Sequence, residues 1–173
     1  DKYAVKKYVS NLIGDEYIIP TLGVWDDPKD INFAALPNQF VLKVTHDSGG
    51  LYICKDKSAI NEKMVISLLK KSLRSNYFNR NREWPYKNVP RKIIAEKFMA
   101  ETDGPDTCDL TDYKFYCFDG KPTYCQVIRD RHSNETIDFY DMKWNHMPFV
   151  GLNPTVDNGT FTIAKPVHFN KMI

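Results

Sequence analysis

Residues 40–54, FVLKVTHDSGGLYIC, constrain the fold more than any other stretch of the chain. Phe40, Leu42 and Val44 alternate with Val41, Lys43 and Thr45, which is the period of a strand. HDSGG interrupts the run with a polar turn, and LYIC resumes it. Two strands this close in sequence pair antiparallel, because a parallel crossover needs a dozen or more residues. The result is a β-hairpin whose glycine loop is longer than the tight two-residue kind. Lys43 breaks the apolar pattern just ahead of that loop. It reads either as an edge-strand lysine facing water, a common guard against edge pairing, or as an ammonium placed to meet an anion.

The rest of the chain alternates helices with hairpins. KYAVKKYVSNLIG reads as a helix, with Val5, Tyr8, Val9, Leu12 and Ile13 at helical spacing and Gly14 at its end. YIIPTLGVW is extended and interrupted, and Pro20 keeps it from a central strand position. DDPKDINFAALPNQ is a polar connector. A second helix spans about Asn61 to Ser75, with Val65, Leu68, Leu69 and Leu73 as its buried stripe. NYFNRNREWPYKNVPRK is a basic, aromatic linker. KIIAEKFM is a strand, and the Gly-Pro loop AETDGPDTCDLT leads into DYKFYCF. DGKP turns, TYCQVIRD returns, and TIDFYDMKW is a further strand. VDNGTFTIAKP reads as one more turn and an extended piece. There is no internal repeat. Hairpins interrupted by helices predict an α+β fold with mainly antiparallel sheets and packed helices. An N-terminal lobe is expected over residues 1–90 and a C-terminal lobe over residues 91–173.

A chain of 173 residues with 42% hydrophobic content can bury one ordinary core or two small ones. Its 24 basic and 22 acidic residues leave a net charge of +2. No global field therefore calls for nucleic acid or an anionic membrane, although a local anion site stays open. Cys54, Cys108, Cys117 and Cys125 form no CxxC pair and have no histidines at zinc-finger spacing. They read as reduced thiols, in keeping with the cytoplasm, with a disulfide between two of them left open. Alternation puts Cys117 on the strand face opposite Lys114, which predicts core packing. No apolar run approaches the ~20 residues of a membrane span, and no signal peptide opens the chain. Both ends look cut, so a targeting segment could lie outside it.

Three stretches carry candidate chemistry. A phosphate needs a nearby ammonium and backbone N–H groups that it can approach closely. Lys43 offers the first, and Gly49 and Gly50 remove the side chains that would block the second. His46 and Ser48 add hydrogen-bond donors. The loop is not GxxxxGK[ST], and no helix follows it at once. Lys92 to Met99 could present backbone to an adenine edge, or be a core strand with Glu96 and Lys97 exposed at one end. In DLTDYKFYCFDGKP, Asp112, Lys114, Tyr116 and Phe118 share one strand face. Their charges form either a surface ion pair, worth less than about 1 kcal/mol, or a ribose or phosphate contact.

In this order, DKYAVKKYV, LPNQFVLKVTHDSGG, ICKDKS, REWPYKN, PRKIIAEKFM, DYKFYCFDGKP and FYDMKW resemble the ATP-grasp fold. More closely, they are similar to the TupA-like ATP-grasp family, associated with bacterial cell-surface polysaccharide and teichuronopeptide synthesis. The resemblance runs from Asp1 to about Trp144. It implies two small lobes around a nucleotide cleft, with ATP and Mg²⁺ as cofactors. Lys43 would contact the phosphates, with His46, Ser48, Gly49 and Gly50 folding over them. Glu96, Lys97, Phe98 and Met99 would form the adenine hinge, with Glu96 near the exocyclic amine. Asp112 would lie near the ribose, and Lys114 near the phosphates or an acyl phosphate. Arg129, with Asp130 and Arg131, would end a strand facing the acceptor. Lys43, Lys114 and Arg129 are the catalytic candidates.

The metal ligands stay unassigned. Such ligases hold Mg²⁺ with acidic residues on late strands, and after Trp144 the only acid is Asp157. This chain is therefore expected to be catalytically poor. The implied reaction joins a carboxylate-bearing substrate to an amine or sugar acceptor through an acyl phosphate. A glycosyltransferase or nucleotide-sugar enzyme of the same pathway is the second reading, with DDPKD as the nearest string to a metal-binding DxD. A non-catalytic carbohydrate-binding module acting through Trp84 and Tyr86 is the third. The patch around those two residues otherwise reads as a solvated loop pinned by Trp84. His132 reads as an exposed strand-end residue or a general base. His146 and His168 are assigned nothing.

Overall fold

The structure, a computed structural model, describes residues 1–100, 110–131, 133–159 and 161–173. Cys108, His132 and most of the Gly-Pro loop lie outside the described residues. The chain divides into two compact units, Asp1–Met99 and Ala100–Ile173. The division falls later than the boundary expected after residue 90, because β4 (Ile93–Lys97) is built into the first unit's sheet.

That sheet has the order β1-β4-β2-β3, with β1 at Thr21–Trp25, β2 at Phe40–Val44 and β3 at Leu51–Cys54. All its pairings are antiparallel. The segment after Pro20 lies at the edge, where a residue without an N–H is tolerated. Phe40, Leu42 and Val44 of β2 point to one face with Ile93 and Ala95 of β4. Helix α2 (Glu62–Arg74) covers that face with Val65 and Leu69. The Asn61 side chain caps its start by accepting from the Met64 N–H. Leu73 is partly buried against the same core. Ile31, Phe33 and Leu36, from the expected polar connector, close the core.

The opposite face of the sheet carries Val41 and Lys43 of β2 beside Ile94 and Glu96 of β4. Helix α1 (Ala4–Ile13) forms as its periodicity predicts, but none of its residues is buried. Val5, Tyr8 and Leu12 stay exposed. The basic linker contains a short helix, α3 (Tyr77–Asn81), and a 3-10 turn at Trp84–Tyr86. Trp84 is 69% exposed, yet its ring packs edge-on against Phe78 of α3 at 6.0 Å and carries the Lys87 ammonium 4.2 Å from its centroid. Tyr86 adds a second ring contact, 4.7 Å from Tyr77.

The second unit is a three-stranded antiparallel meander of β5 (Asp112–Phe118), β6 (Lys121–Arg129) and β7 (Thr136–Asp141). Asp119 and Gly120 join the first two strands, with φ of 51° and 72°. Two successive positive φ values give the type I′ geometry that an Asp-Gly pair favours. Cys125, Val127, Tyr140, Ile163 and Phe169 form the core. Phe169 opens the short helix α4 (Phe169–Met172). The extended piece expected after Asp157 forms no strand among its described residues and supplies Ile163 to the core. Cys117 is exposed, not packed as alternation predicts. The ladder shifts register at Tyr116/Cys117, and the hairpin tip beyond it stands in solvent.

Candidate functional site

The polar face of the first sheet gathers charge around one carboxylate. Val41 pairs with Glu96 and Lys43 with Ile94, so Lys43 and Glu96 lie diagonally on one face. Lys43 Nζ is 2.6 Å from Glu96 Oε2, and Lys6 Nζ is 2.6 Å from Glu96 Oε1. β2 is an inner strand, so Lys43 is not an edge lysine. Its side chain keeps 31% of its surface, while that of Glu96 keeps 6%. Burial alone would raise the Glu96 carboxyl pKa. Hydrogen bonds from Lys43 and Lys6 outweigh it and hold the pKa below the ordinary value.

The HDSGG loop is tied down at three points. Lys92 N–H donates to Thr45 Oγ1 at 2.9 Å, and Thr45 N–H donates to the Lys92 carbonyl at 2.9 Å, which fastens the loop's base to β4. Asp47 folds back on the loop, and its carboxylate accepts from the Gly50 N–H at 2.9 Å. Its carbonyl accepts from Lys2 Nζ. Burial lowers the Lys2 pKa, against the pull of the Asp47 charge.

His46 is the third tie, only 3% exposed and with Nε2 3.1 Å from the Ser75 carbonyl. A carbonyl only accepts, so Nε2 carries the proton and Nδ1 the lone pair. Burial lowers the imidazole pKa and favours this neutral form. Nδ1 is buried without a hydrogen-bond partner. His46 is thus a strut to the end of α2, with its one N–H already used.

The two glycines differ. A Cβ on Gly50 would lie 2.5 Å from Asp47 Oδ2 and 2.7 Å from Val44 Cγ2, whereas one on Gly49 meets nothing within 4 Å. Gly50 lets the loop pack, and Gly49 leaves its backbone approachable. Ser48, Gly49 and Gly50 line a cavity of about 380 Å³ together with Lys71, Ser72 and Arg80. Lys71, Arg80 and the serine hydroxyls suit phosphate oxygens, whereas the Gly49 and Gly50 N–H groups already donate to the Asp47 carboxylate, which also lines the cavity.

The hinge residues divide between strand and strand end. Glu96 is paired to both β1 and β2, and its carboxylate holds two lysines. Lys97 N–H donates to the Pro20 carbonyl at 3.0 Å. Phe98 and Met99 follow the last residue of β4 and close the first unit.

In the second unit, Asp112 pairs with Arg131. Lys114 is exposed and lies opposite Gln126. Arg129 sits over the Phe161 ring at 5.8 Å. The unit's buried polar centre was not legible in the sequence. Asp138, fully buried, accepts from the Asp157 N–H at 3.0 Å and from the Thr155 hydroxyl, with His146 Nε2 at 3.2 Å. Asp157 accepts from the Tyr140 hydroxyl at 2.6 Å.

These carboxylates do not fit a Mg²⁺ site. Glu96 is neutralised by lysines, Asp47 binds its own loop, and Asp157 is buried against Tyr140. Among the described residues no group of three or more His, Cys, Asp or Glu is placed to hold a metal ion. In DDPKD, Asp26 pairs with Lys92 at 2.6 Å and Asp27 caps the Lys29 N–H, so two of its three acids have partners. Lys2, Lys6 and Asp47 belong to the charged cluster but were not singled out from sequence. Lys6 lies in the first turn of α1 and Lys2 just ahead of it, and nothing local names the partner of either.

A family model described as TupA-like ATPgrasp matches residues 1–173, the whole chain. No curated protein and no solved structure matches.

Proposed function

The chain belongs to the TupA-like ATP-grasp family, and on that premise we propose that it serves an ATP-dependent carboxylate ligase of bacterial cell-surface polysaccharide synthesis. In such a reaction a substrate carboxylate oxygen attacks the γ-phosphorus of ATP. ADP leaves, and an acyl phosphate forms. An amine or sugar hydroxyl of the acceptor then attacks the acyl carbon and expels inorganic phosphate. The chemistry needs little covalent help from the protein. It needs cations and N–H groups aimed at the phosphate oxygens, and exclusion of water.

The observation that carries this reading is the position of Lys43, which points to the polar face from an inner strand, pairs there with Glu96, and lies on the strand that runs into the glycine loop. Lys43 would turn from Glu96 to the phosphates while Lys6 keeps the carboxylate neutralised. Ser48 and Gly49 would contact the phosphates, and His46 and Gly50 would hold the loop's shape. The adenine edge would meet the backbone of Phe98 and Met99, since the backbone of Glu96 and Lys97 is already paired. Asp112, Lys114 and Arg129 would serve the ribose, the transferred group and the acceptor. Mg²⁺ is the family's usual companion to ATP. No step of the reaction is routed through it, because Glu96, Asp47 and Asp157 are otherwise engaged. Use of ATP would put the reaction in the cytoplasm; no helix among the described residues is long and apolar enough to cross a membrane.

Calorimetric titration tests the reading, with ATP, ADP and a UDP-sugar titrated into the chain and into Lys43→Ala. ATP and ADP should bind, and Lys43→Ala should weaken them about tenfold or more, the worth of a hydrogen bond to a charged group. A folded chain that binds the UDP-sugar and not ATP would overturn it.

A further inference from the structure

We propose that Lys2, just ahead of the N-terminal helix, and Lys6, in its first turn, bind the polyphosphate of a nucleoside di- or triphosphate together with Lys43. The inference rests on the nucleotide-binding reading above and extends it to an element that the reading does not use. It starts from the way α1 attaches to the sheet. A helix that only covers a sheet buries its apolar stripe. This one leaves Tyr8 and Leu12 66% and 65% exposed, while Lys6 turns inward. Lys6 reaches Glu96 and the Ile19 carbonyl, each at 2.6 Å, with only 14% of its side chain exposed. Lys2 reaches the Asp47 carbonyl, in the glycine loop itself. The helix and the residues just ahead of it thus place two ammonium groups on the face that carries Lys43.

The charges there do not balance. Three lysines face two carboxylates, and the Asp47 carboxylate is already used by the Gly50 N–H. The half-buried Lys2 ammonium has a carbonyl oxygen as its hydrogen-bond partner, and it repels Lys43. Lys6 and Lys43 converge on the two oxygens of one carboxylate. An anion with several oxygens, arriving beside Glu96, would give each ammonium a charged partner and relieve that repulsion. A chain of phosphates has this chemistry, whereas a nucleoside alone does not.

The experiment titrates ATP, ADP and adenosine into the 173-residue chain, into Lys2→Gln and Lys6→Gln, and into Lys6→Arg and Lys7→Gln. Thermal melting of each variant confirms its fold. Lys2→Gln removes no ion pair and is the arm least exposed to misfolding; Lys6→Arg keeps the charge that Glu96 needs. ATP and ADP affinity should fall about tenfold in Lys2→Gln and in Lys6→Gln. Lys6→Arg should restore most of it, and Lys7→Gln should change little. Adenosine binding should be the same in all. Wild-type affinity for ATP in folded Lys2→Gln and Lys6→Gln, with binding still lost in Lys43→Ala, would overturn this inference and leave the nucleotide reading standing. An equal loss for adenosine and ATP would overturn it as well, by making the helix only structural. No ATP binding by the folded wild-type chain would overturn both.

Discussion

Glu96 is the residue on which the first unit's charge arrangement turns. Its carboxylate is held by one ammonium on each oxygen, from Lys6 and Lys43. Removing the carboxylate leaves two lysine cations facing each other with no counterion. Glu96→Ala should therefore cost about 3 kcal/mol, the scale for breaking a buried pair. Lys43→Ala should cost less, because Lys6 still neutralises the acid. Urea denaturation of the two variants checks the order; equal midpoints would refute it. The sequence showed Lys43 as a charge out of place in a strand, and it showed the glycines. It did not show that Glu96, expected at an exposed strand end or near the adenine amine, sits between two lysines. That pairing follows from the register of β2 on β4, which no local pattern specifies.

The elements were more legible than their contacts. The β2–β3 hairpin, α2 and the Asp-Gly turn follow from period, capping and turn chemistry, and each forms close to its expected span. The glycine loop has two separable parts. Gly50→Ala forces its new methyl against Val44 and the Asp47 carboxylate. It should destabilise by about 1–3 kcal/mol, while Gly49→Ala should change stability by less than about 0.5 kcal/mol. Thermal melting distinguishes them, and an equal loss in both would contradict the close contact at Gly50. At the start of α2, Asn61→Ala should cost about 1 kcal/mol through loss of the cap to Met64. α3 was missed because five residues are too short for a period to show. Cys117 was misplaced because alternation says nothing of where a ladder changes register.

Over the whole molecule, acid is the expected weakness. His46 has a lowered pKa, so below its ordinary value of about 6.5 the unfolded chain takes up a proton that the folded chain resists. Glu96 and Asp157 are also held below their ordinary values of 4.5 and 3.8. Their stabilisation is complete above those values and is lost as pH falls through the folded ones. For all three groups the unfolded state binds more protons, so stability rises with pH across these windows. The denaturation midpoint should fall from pH 7 to pH 5 as His46 is drawn out, and more steeply below pH 4.5. A midpoint that stays flat or rises on acidification would rule this out. The groups lie in both units, so His46→Gln should remove only the upper part of the loss.

Local patterns in the chain carry its class: antiparallel hairpins with amphipathic helices, a glycine loop behind a strand lysine, and the ordered strings that match one ATP-grasp family. Period, turn residues and caps act over a few neighbouring residues and can be read in one dimension. Tertiary packing set the rotation of α1, which turns Lys6 inward and leaves Tyr8 and Leu12 exposed. It alone decided that Glu96 would meet Lys6 and Lys43, that His46 would serve as a strut, and that Asp138 and Asp157 would be buried. A charged side chain takes its partner from whatever the register and helix rotation bring within hydrogen-bond reach. Those are set by packing between segments far apart in the chain.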